Sequence, residues 1–77
     1  MTTAMITLRT LYHPVQIERI CEYLQKEDGV LKGSVHVWMN TKQATVTFDS
    51  SKISINDIIL VLESLGHPIF KFRLIES

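Results

Sequence analysis

The chain has 77 residues, of which 45% are hydrophobic, and its eight basic and eight acidic residues cancel to a formal net charge of zero. This length indicates one domain, residues 1–77, with enough apolar side chains for a compact core. A neutral balance disfavours nucleic acid and anionic membrane surfaces as partners, because both attract clustered Lys and Arg. The only cysteine in the sequence, Cys21, excludes a disulfide framework and a cysteine-based zinc site.

The N-terminal sequence has no basic segment followed by a long apolar core, so it predicts no secretory signal. No apolar run approaches the ~20 residues that a membrane span requires, so no membrane insertion is expected. We therefore expect a cytoplasmic domain, either free or as a module of a larger protein.

The first two elements are a strand and a helix. Residues 5–10 alternate apolar and polar side chains, which predicts a half-buried strand with Ile6 and Leu8 facing inward. Pro14 suits the first turn of the following helix, and Gly29 is predicted to end that helix. The apolar stripe of the helix follows the helical repeat and consists of Ile17, Ile20, Cys21 and Leu24.

The middle of the chain predicts an antiparallel hairpin. Its first strand runs roughly over residues 31–39, with His36 and Trp38 on the face opposite to Val35, Val37 and Met39. Residues 40–42 form a polar turn, and the next strand places Ala44, Val46 and Phe48 inward.

The second helix has the clearest signals. Ser54 and Asp57 resemble a capping box, and Ile53 and Ile58 occupy the hydrophobic-staple positions around it. Gly66 is predicted to cap the C-terminus. The buried stripe is predicted to contain Ile55, Ile58, Ile59, Leu62 and Leu65.

A last strand covers residues 68–75, but its two faces compete. Phe70, Phe72 and Leu74 share one face in a regular strand, and a bulge near Pro68 would exchange the faces. The order βαββαβ predicts an α+β, ferredoxin-like fold, in which two helices cover one face of a four-stranded antiparallel sheet.

The second half of the chain resembles a heavy-metal-associated domain. Such domains read A-T-V-x-[YF]-D, a short loop, and D-I-I-x-x-I-E-x-L-G-[YF], and Gly29-Val30 matches the G-V after their first helix. The resemblance covers about residues 4–70 and is carried by the runs Ala44–Asp49, Ile53-Ser54, Asp57–Ile59 and Leu62–His67.

The resemblance implies the role of the segment before the first helix. Counting back from Gly29 places His13 and Gln16 on the two cysteines of the family's M-T-C-x-x-C metal loop, with Leu11 and Tyr12 in place of the Met and the Thr. Family members are metallochaperones and N-terminal modules of metal-transporting P-type ATPases, and copper transfer requires paired thiolates. Gln16 is a poor ligand for Cu(I), so transfer through this loop is not expected.

Two histidines are candidate metal ligands. His67 follows the L-G motif, where some bacterial copper chaperones of the family have a copper-binding His, and that turn lies beside the metal loop in the family. His13 and His67 would hold Zn(II), Ni(II) or Cu(II) weakly. The alternatives are an exposed loop His13 and a surface His67. Cys21 is too far from His13 to share an ion, because eight helical residues span about 10 Å or more, and it is better explained as a small packed hydrophobe.

Partner docking is the other candidate role. We expect Tyr12, Gln16 and Trp38 to contribute to a partner surface, with Phe70 or Phe72 near Trp38 on the open sheet face. The sheet face is not expected to bind RNA, because Thr45 and Thr47 stand where stacking aromatics would be needed and the basic residues are not clustered in sequence.

The sequence therefore predicts a non-catalytic, heavy-metal-associated-like module without the paired-cysteine site. It would dock to a protein partner or to another domain of the same metal transporter. The first alternative is weak binding of a divalent transition metal at His13 and His67. The second is a small-ligand regulatory module that forms a homodimer through its sheet. No catalytic set and no glycine-rich phosphate loop is present in the sequence, so no enzymatic activity is expected.

Overall fold

The computed structural model describes residues 1–76 and contains six elements in the predicted order. They are β1 (Thr2–Leu8), α1 (Pro14–Gln25), β2 (His36–Trp38), β3 (Gln43–Phe48), α2 (Ile55–Ser64) and β4 (Ile69–Glu76). The strands form one antiparallel sheet in the order β2-β3-β1-β4, with the helices on one face. The predicted ferredoxin-like fold is confirmed.

The core lies between the sheet and the helices, as the period-two and helical patterns predict. Ile6 and Leu8 of β1 are buried against Ile20 and Leu24 of α1 and Ile58 and Leu62 of α2 in one apolar cluster. Burial of each such side chain contributes about 1.5–3 kcal/mol to stability. The inward faces of β1, β3 and both helices were thus correctly predicted, with one exchange: Val61 rather than Ile59 joins the helix residues at the core margin.

Both ends of α2 match the sequence signals. Ser54 Oγ accepts a hydrogen bond from the Asp57 amide at 3.2 Å, and Asp57 Oδ2 accepts one from the Ser54 amide at 3.1 Å, which makes a reciprocal capping box. At the other end Gly66 has φ +87°. The His67 amide donates to Leu62 O and the Gly66 amide to Glu63 O, which is the Schellman pattern.

The predicted bounds of three elements were wrong. β1 covers Thr2–Leu8 instead of 5–10, because the Arg9 amide already bonds to Pro68 O and the chain leaves the ladder there. β2 is limited to His36–Trp38 instead of 31–39, since the Ser34 amide bonds back to Leu31 O in a turn around Gly33 (φ +81°). α1 ends at Gln25, and Gly29 (φ +101°) lies in the turn that follows rather than at the cap.

The pairing of β4 with β1 contains a bulge, which is one of the two registers that the sequence allowed for this strand. Leu8 pairs with Ile69 and Thr7 pairs with Lys71, so Phe70 is an extra residue in the ladder between them. Phe72 and Leu74 then pair with Ile6 and Ala4 on the helix side, whereas Lys71 and Arg73 face the open side. Because of the bulge, Ile69 lies on the helix side together with Phe72 and Leu74, and it packs at the margin of the core.

The strand order separates the aromatic residues that we expected to lie together. Trp38 on β2 pairs with Gln43, Gln43 with Thr7, and Thr7 with Lys71 on β4. The two edges are three strand spacings apart, or about 14 Å. The expectation that Phe70 or Phe72 lies near Trp38 was wrong. No helix within residues 1–76 is long and apolar enough to cross a bilayer.

Candidate functional site

The loop between β1 and α1, residues 9–13, is anchored by one side chain. Leu11 is buried in the core, while Tyr12 and His13, which directly precede α1, are exposed. Leu11 therefore fixes the path of the loop through hydrophobic burial. The resemblance noted in the sequence places this apolar residue at the Met of the metal loop.

Gln16 closes the same loop with its side chain. Gln16 Oε1 accepts hydrogen bonds from the Tyr12 amide at 2.7 Å and from the His13 amide at 3.0 Å. Gln16 is the third residue of α1, and a Gln at this position that reaches back to the N-cap amide forms one half of a capping box. The residue in place of the family's second cysteine thus satisfies two backbone donors that would otherwise be unpaired at the helix start.

His13 occupies the N-cap position of α1 in an extended conformation, with φ −130° and ψ 141°. Its carbonyl accepts a hydrogen bond from the Gln16 amide at 3.0 Å, and Pro14 begins the helix. The imidazole is exposed, which leaves it accessible to an ion or a partner.

His67 is buried, which the sequence did not predict. Only 3% of its surface is exposed, and its ring Nδ1 lies 2.9 Å from Thr10 O. A carbonyl oxygen can only accept, so Nδ1 carries the hydrogen and Nε2 of the neutral ring keeps its lone pair. Among the described side chains no buried nitrogen or oxygen lacks a hydrogen-bond partner.

The structure therefore connects both histidines to the same loop. His67 contacts Thr10, and the Thr10 hydroxyl donates in turn to Gly66 O at 3.4 Å. His13 follows three residues after Thr10. Within the described residues no group of three or more His, Cys, Asp or Glu side chains is arranged to hold a metal ion. Any ion at His13 and His67 would need further ligands from water or a partner.

Cys21 lies apart from the loop, on the second turn of α1. It is half-buried beside the core, its Sγ lies 3.9 Å from Val35 O, and burial raises the pKa of its thiol. A raised pKa disfavours the thiolate that metal binding requires. The prediction of a small packed residue describes its position well.

Cations lie over exposed aromatic rings at the loop end of the sheet, a feature that sequence reasoning missed. Lys42 Nζ lies 5.1 Å from the centroid of Tyr12, and the Arg9 guanidinium lies 5.1 Å from that of Phe70. Lys71, the next residue along β4, places its Nζ 5.9 Å from the centroid of the same Phe70 ring. Residues far apart in sequence make this basic cluster, so only the strand pairing would have revealed it.

The predicted partner-surface residues differ in their accessibility. Tyr12 is 61% exposed and Trp38 is 48% exposed, whereas Gln16 is half-buried with its oxygen engaged by the loop amides. The nearest aromatic group to Trp38 is His36, whose ring centroid lies 6.2 Å away.

Known structures share this architecture. No family model and no curated protein sequence matches the chain. The CopZ metallochaperone superposes with a TM-score of 0.80 at 18% identity over 87% of this chain and 97% of that one. A copper binding domain from HMA7, a P-type ATPase, gives 0.81 at 18% identity over 99% and 96%. Oxidized MerP from Ralstonia metallidurans CH34 gives 0.79 at 26% identity over 92% and 100%.

These neighbours show the fold of the domain. They are heavy-metal-associated domain proteins, so the resemblance seen in the sequence motifs is confirmed at the level of the fold. The chain has the ferredoxin-like architecture of metallochaperones and of metal-binding modules of P-type ATPases. The first two of these proteins are named as a metallochaperone and as a copper binding domain.

Proposed function

We propose that this chain is a non-catalytic docking module of a metal-transport system, in which a side chain rather than an ion holds the metal loop. The observation that supports it is the pair of hydrogen bonds from the Tyr12 and His13 amides to Gln16 Oε1. The partner would be another protein or another domain of the same transporter, and the proposed location is the cytoplasm.

The chemistry of the loop supports docking over ion transfer. Soft Cu(I) selects thiolates, and the loop offers an imidazole at His13 and an amide at Gln16. The amide oxygen already accepts two hydrogen bonds from the loop. Those two bonds join the loop backbone to the first turn of α1.

The exposed side chains at the α1 start suit a protein interface. Tyr12 is 61% exposed and Val15 is 60% exposed, on either side of His13 and Pro14. Aromatic residues are enriched in interfaces because they supply a large contact area with few rotatable bonds. Leu11 and Gln16 hold this surface in place from below, so docking would require little ordering of the loop.

The test is a titration of the isotope-labelled chain with a heavy-metal-associated domain that retains both cysteines, with and without Cu(I). We expect amide shifts at residues 11–16 in both cases and weaker binding by Tyr12→Ala. Tyr23→Ala is the matched control, because Tyr23 is also exposed and also carries a lysine, Lys26, over its ring. Equal loss in both variants, or shifts confined to other elements, would contradict docking through this loop.

Weak binding of a divalent metal is the second candidate, and the state of the His67 ring favours it. Metal-bound histidines usually donate their other ring hydrogen to a carbonyl or carboxylate, as His67 Nδ1 does to Thr10 O. We expect Zn(II), Ni(II) or Cu(II) to shift the ring signals of His13 and His67 together, with His36→Ala as a neutral control. If neither ring responds at millimolar metal, this candidate is excluded.

A further inference from the structure

The outer edge of β4 is the longest unpaired strand edge in residues 1–76. β4 covers eight residues, Ile69–Glu76, and pairs with β1 on one side only. The other edge strand, β2, has three residues. Proteins usually shorten, bend or cover such an edge, because its free amides and carbonyls are ready to pair with another strand.

Side chains along this edge alternate between two chemistries. Lys71 and Arg73 face the open side of the sheet, opposite Thr7 and Met5. Phe72 and Leu74 face the helix side, yet they are 44% and 43% exposed. The helices therefore leave this part of the apolar face uncovered.

The cations near this edge have no carboxylate partner within the described chain. Arg73 Nη2 lies 3.3 Å from Met5 Sδ, and Lys71 and Arg9 lie over the ring of Phe70. The one ion pair between described residues, Lys26 with Glu22, lies on α1. No acidic residue faces the open side of the four strands as the pairing defines it. Among the described side chains, positive charge therefore gathers on this face of the sheet, although the whole chain is neutral.

From this alternation we infer that β4 accepts an extended polypeptide segment in which acidic and apolar residues alternate. The segment would add as a fifth strand through backbone hydrogen bonds. Its carboxylates would lie opposite Lys71 and Arg73, and its apolar side chains would cover Phe72 and Leu74. This inference deepens the proposed docking function and rests on it, because it names a second surface and the chemistry of its partner.

A second copy of the chain fits this edge poorly in the two registers that are centred on Phe72 and Arg73. Directly opposed residues of an antiparallel pair share a face, so a two-fold axis at Phe72 places Lys71 opposite the other copy's Arg73. An axis at Arg73 places the two Arg73 side chains opposite each other. Like charges in directly opposed positions are destabilising.

Single-stranded nucleic acid also fits poorly. Nucleic-acid-binding sheets of this topology stack bases on aromatic residues of the central strands. Here the central strands present Met5, Thr7 and Thr45 on the open face. The phosphate-binding potential of the cations remains, and an oligonucleotide is therefore included in the test.

The experiment uses a short synthetic peptide of alternating Glu and Val, titrated into the isotope-labelled chain. We expect saturable binding, amide shifts and exchange protection at residues 70–75, and binding at least about tenfold weaker for Lys71→Glu/Arg73→Glu. The control Lys32→Glu/Lys52→Glu makes the same charge change away from β4 and should bind normally. A peptide with the same composition in separate Glu and Val blocks should bind more weakly.

Three outcomes would overturn the inference. They are equal binding by the charge-reversal variant and the control, shifts that map away from β4, and binding of an oligonucleotide without binding of the peptide. If the peptide is not bound while a heavy-metal-associated domain still docks at residues 11–16, this inference fails and the proposed function stands. Circular dichroism of each variant confirms that the fold is intact.

Discussion

The two strand-to-helix junctions of the fold solve the same problem differently. Between β3 and α2, residues 49–54, the polar groups are satisfied locally: Asp49 accepts from Ser51, and Ser54 and Asp57 cap each other. Between β1 and α1, residues 9–13, the chain depends on Gln16 and on the distant residues His67 and Pro68. The first junction is stabilised by its own residues. The second is stabilised by residues distant in sequence, and its side chains at Tyr12 and His13 are exposed.

Restoring the thiolates at the β1–α1 junction should produce the largest effect. His13→Cys/Gln16→Cys places a C-x-x-C pair at the start of α1, so we expect stoichiometric Cu(I) binding under reducing conditions, measured against a competing chelator. The metal-free variant should be less stable than the parent, because it loses the two hydrogen bonds to Gln16, and Cu(I) should restore stability by mass action. Single-cysteine variants are the controls. Failure of the double variant to bind more tightly than either single variant would show that the loop geometry has diverged.

Gly29→Ala should destabilise the fold, because the added Cβ would clash with residues of the β3–α2 junction. An added Cβ would lie 2.9 Å from both Lys52 Cβ and Ile53 Cγ2, in a residue with φ +101°. We expect a loss of about 2–4 kcal/mol in the free energy of unfolding, measured by urea denaturation. Gly33→Ala separates the two causes, because Gly33 has φ +81° and an added Cβ there meets nothing within 4 Å. It should cost about 1 kcal/mol, and equal losses would mean that the contact with Ile53 is unimportant.

Gln16→Ala should weaken the β1–α1 junction by about 1–2 kcal/mol, because two backbone amides lose their acceptor. Gln16→Glu keeps the acceptor and places a negative charge at the positive end of the helix dipole, so it should retain the stability. Amide exchange at Tyr12 and His13 reports the effect locally. Ser54→Ala is the counterpart at α2 and should leave those two amides unchanged. Faster exchange there in Ser54→Ala would show that the junctions are coupled.

The smallest expected effect concerns the acid sensitivity of the β3–α2 junction. Hydrogen bonds from the Ser51 hydroxyl and amide lower the pKa of Asp49, so the folded carboxyl titrates below its unfolded value. The associated stability is complete above the unfolded pKa and is lost as the pH falls through the folded pKa. Ser51→Ala should raise the pKa of Asp49 toward its ordinary range in an NMR titration of the carboxyl carbon. Ser50→Ala should not change it.

The sequence predicted most of the fold because its signals are local. Ser54, Asp57 and Gly66 each specify a helix end within a few residues, and the buried positions follow regular periods. The β2 bounds were wrong because apolar Leu31 continues the strand pattern while Gly33 and Ser34 turn the backbone. The competing faces of the last strand indicated that a bulge was possible. They did not place it at Phe70, because its position depends on the pairing with β1.

The site was less predictable because its contacts are long-range. His67 was considered as a surface residue or ligand, and its burial against Thr10 requires knowledge of which loops meet. The role of Gln16 had a local signal, since a Gln at the third position of a helix reaches its N-cap. Counting back from Gly29 instead indicated only that Gln16 stands in place of a cysteine. The basic cluster around Phe70 joins Arg9, which follows β1, to Lys71 of β4, more than 60 positions later in the sequence.

The hydrogen bonds of Gln16 have a consequence for how the domain would respond to its surroundings. A loop held by a pair of thiolates changes with oxidants, chelators and metal supply, because each of these alters its bonds. A loop held by an amide oxygen has none of these sensitivities, and the single thiol of the chain lies half-buried at Cys21 with a raised pKa. In the proposed docking role, the surface around Tyr12 would therefore be presented independently of oxidants, chelators and metal supply.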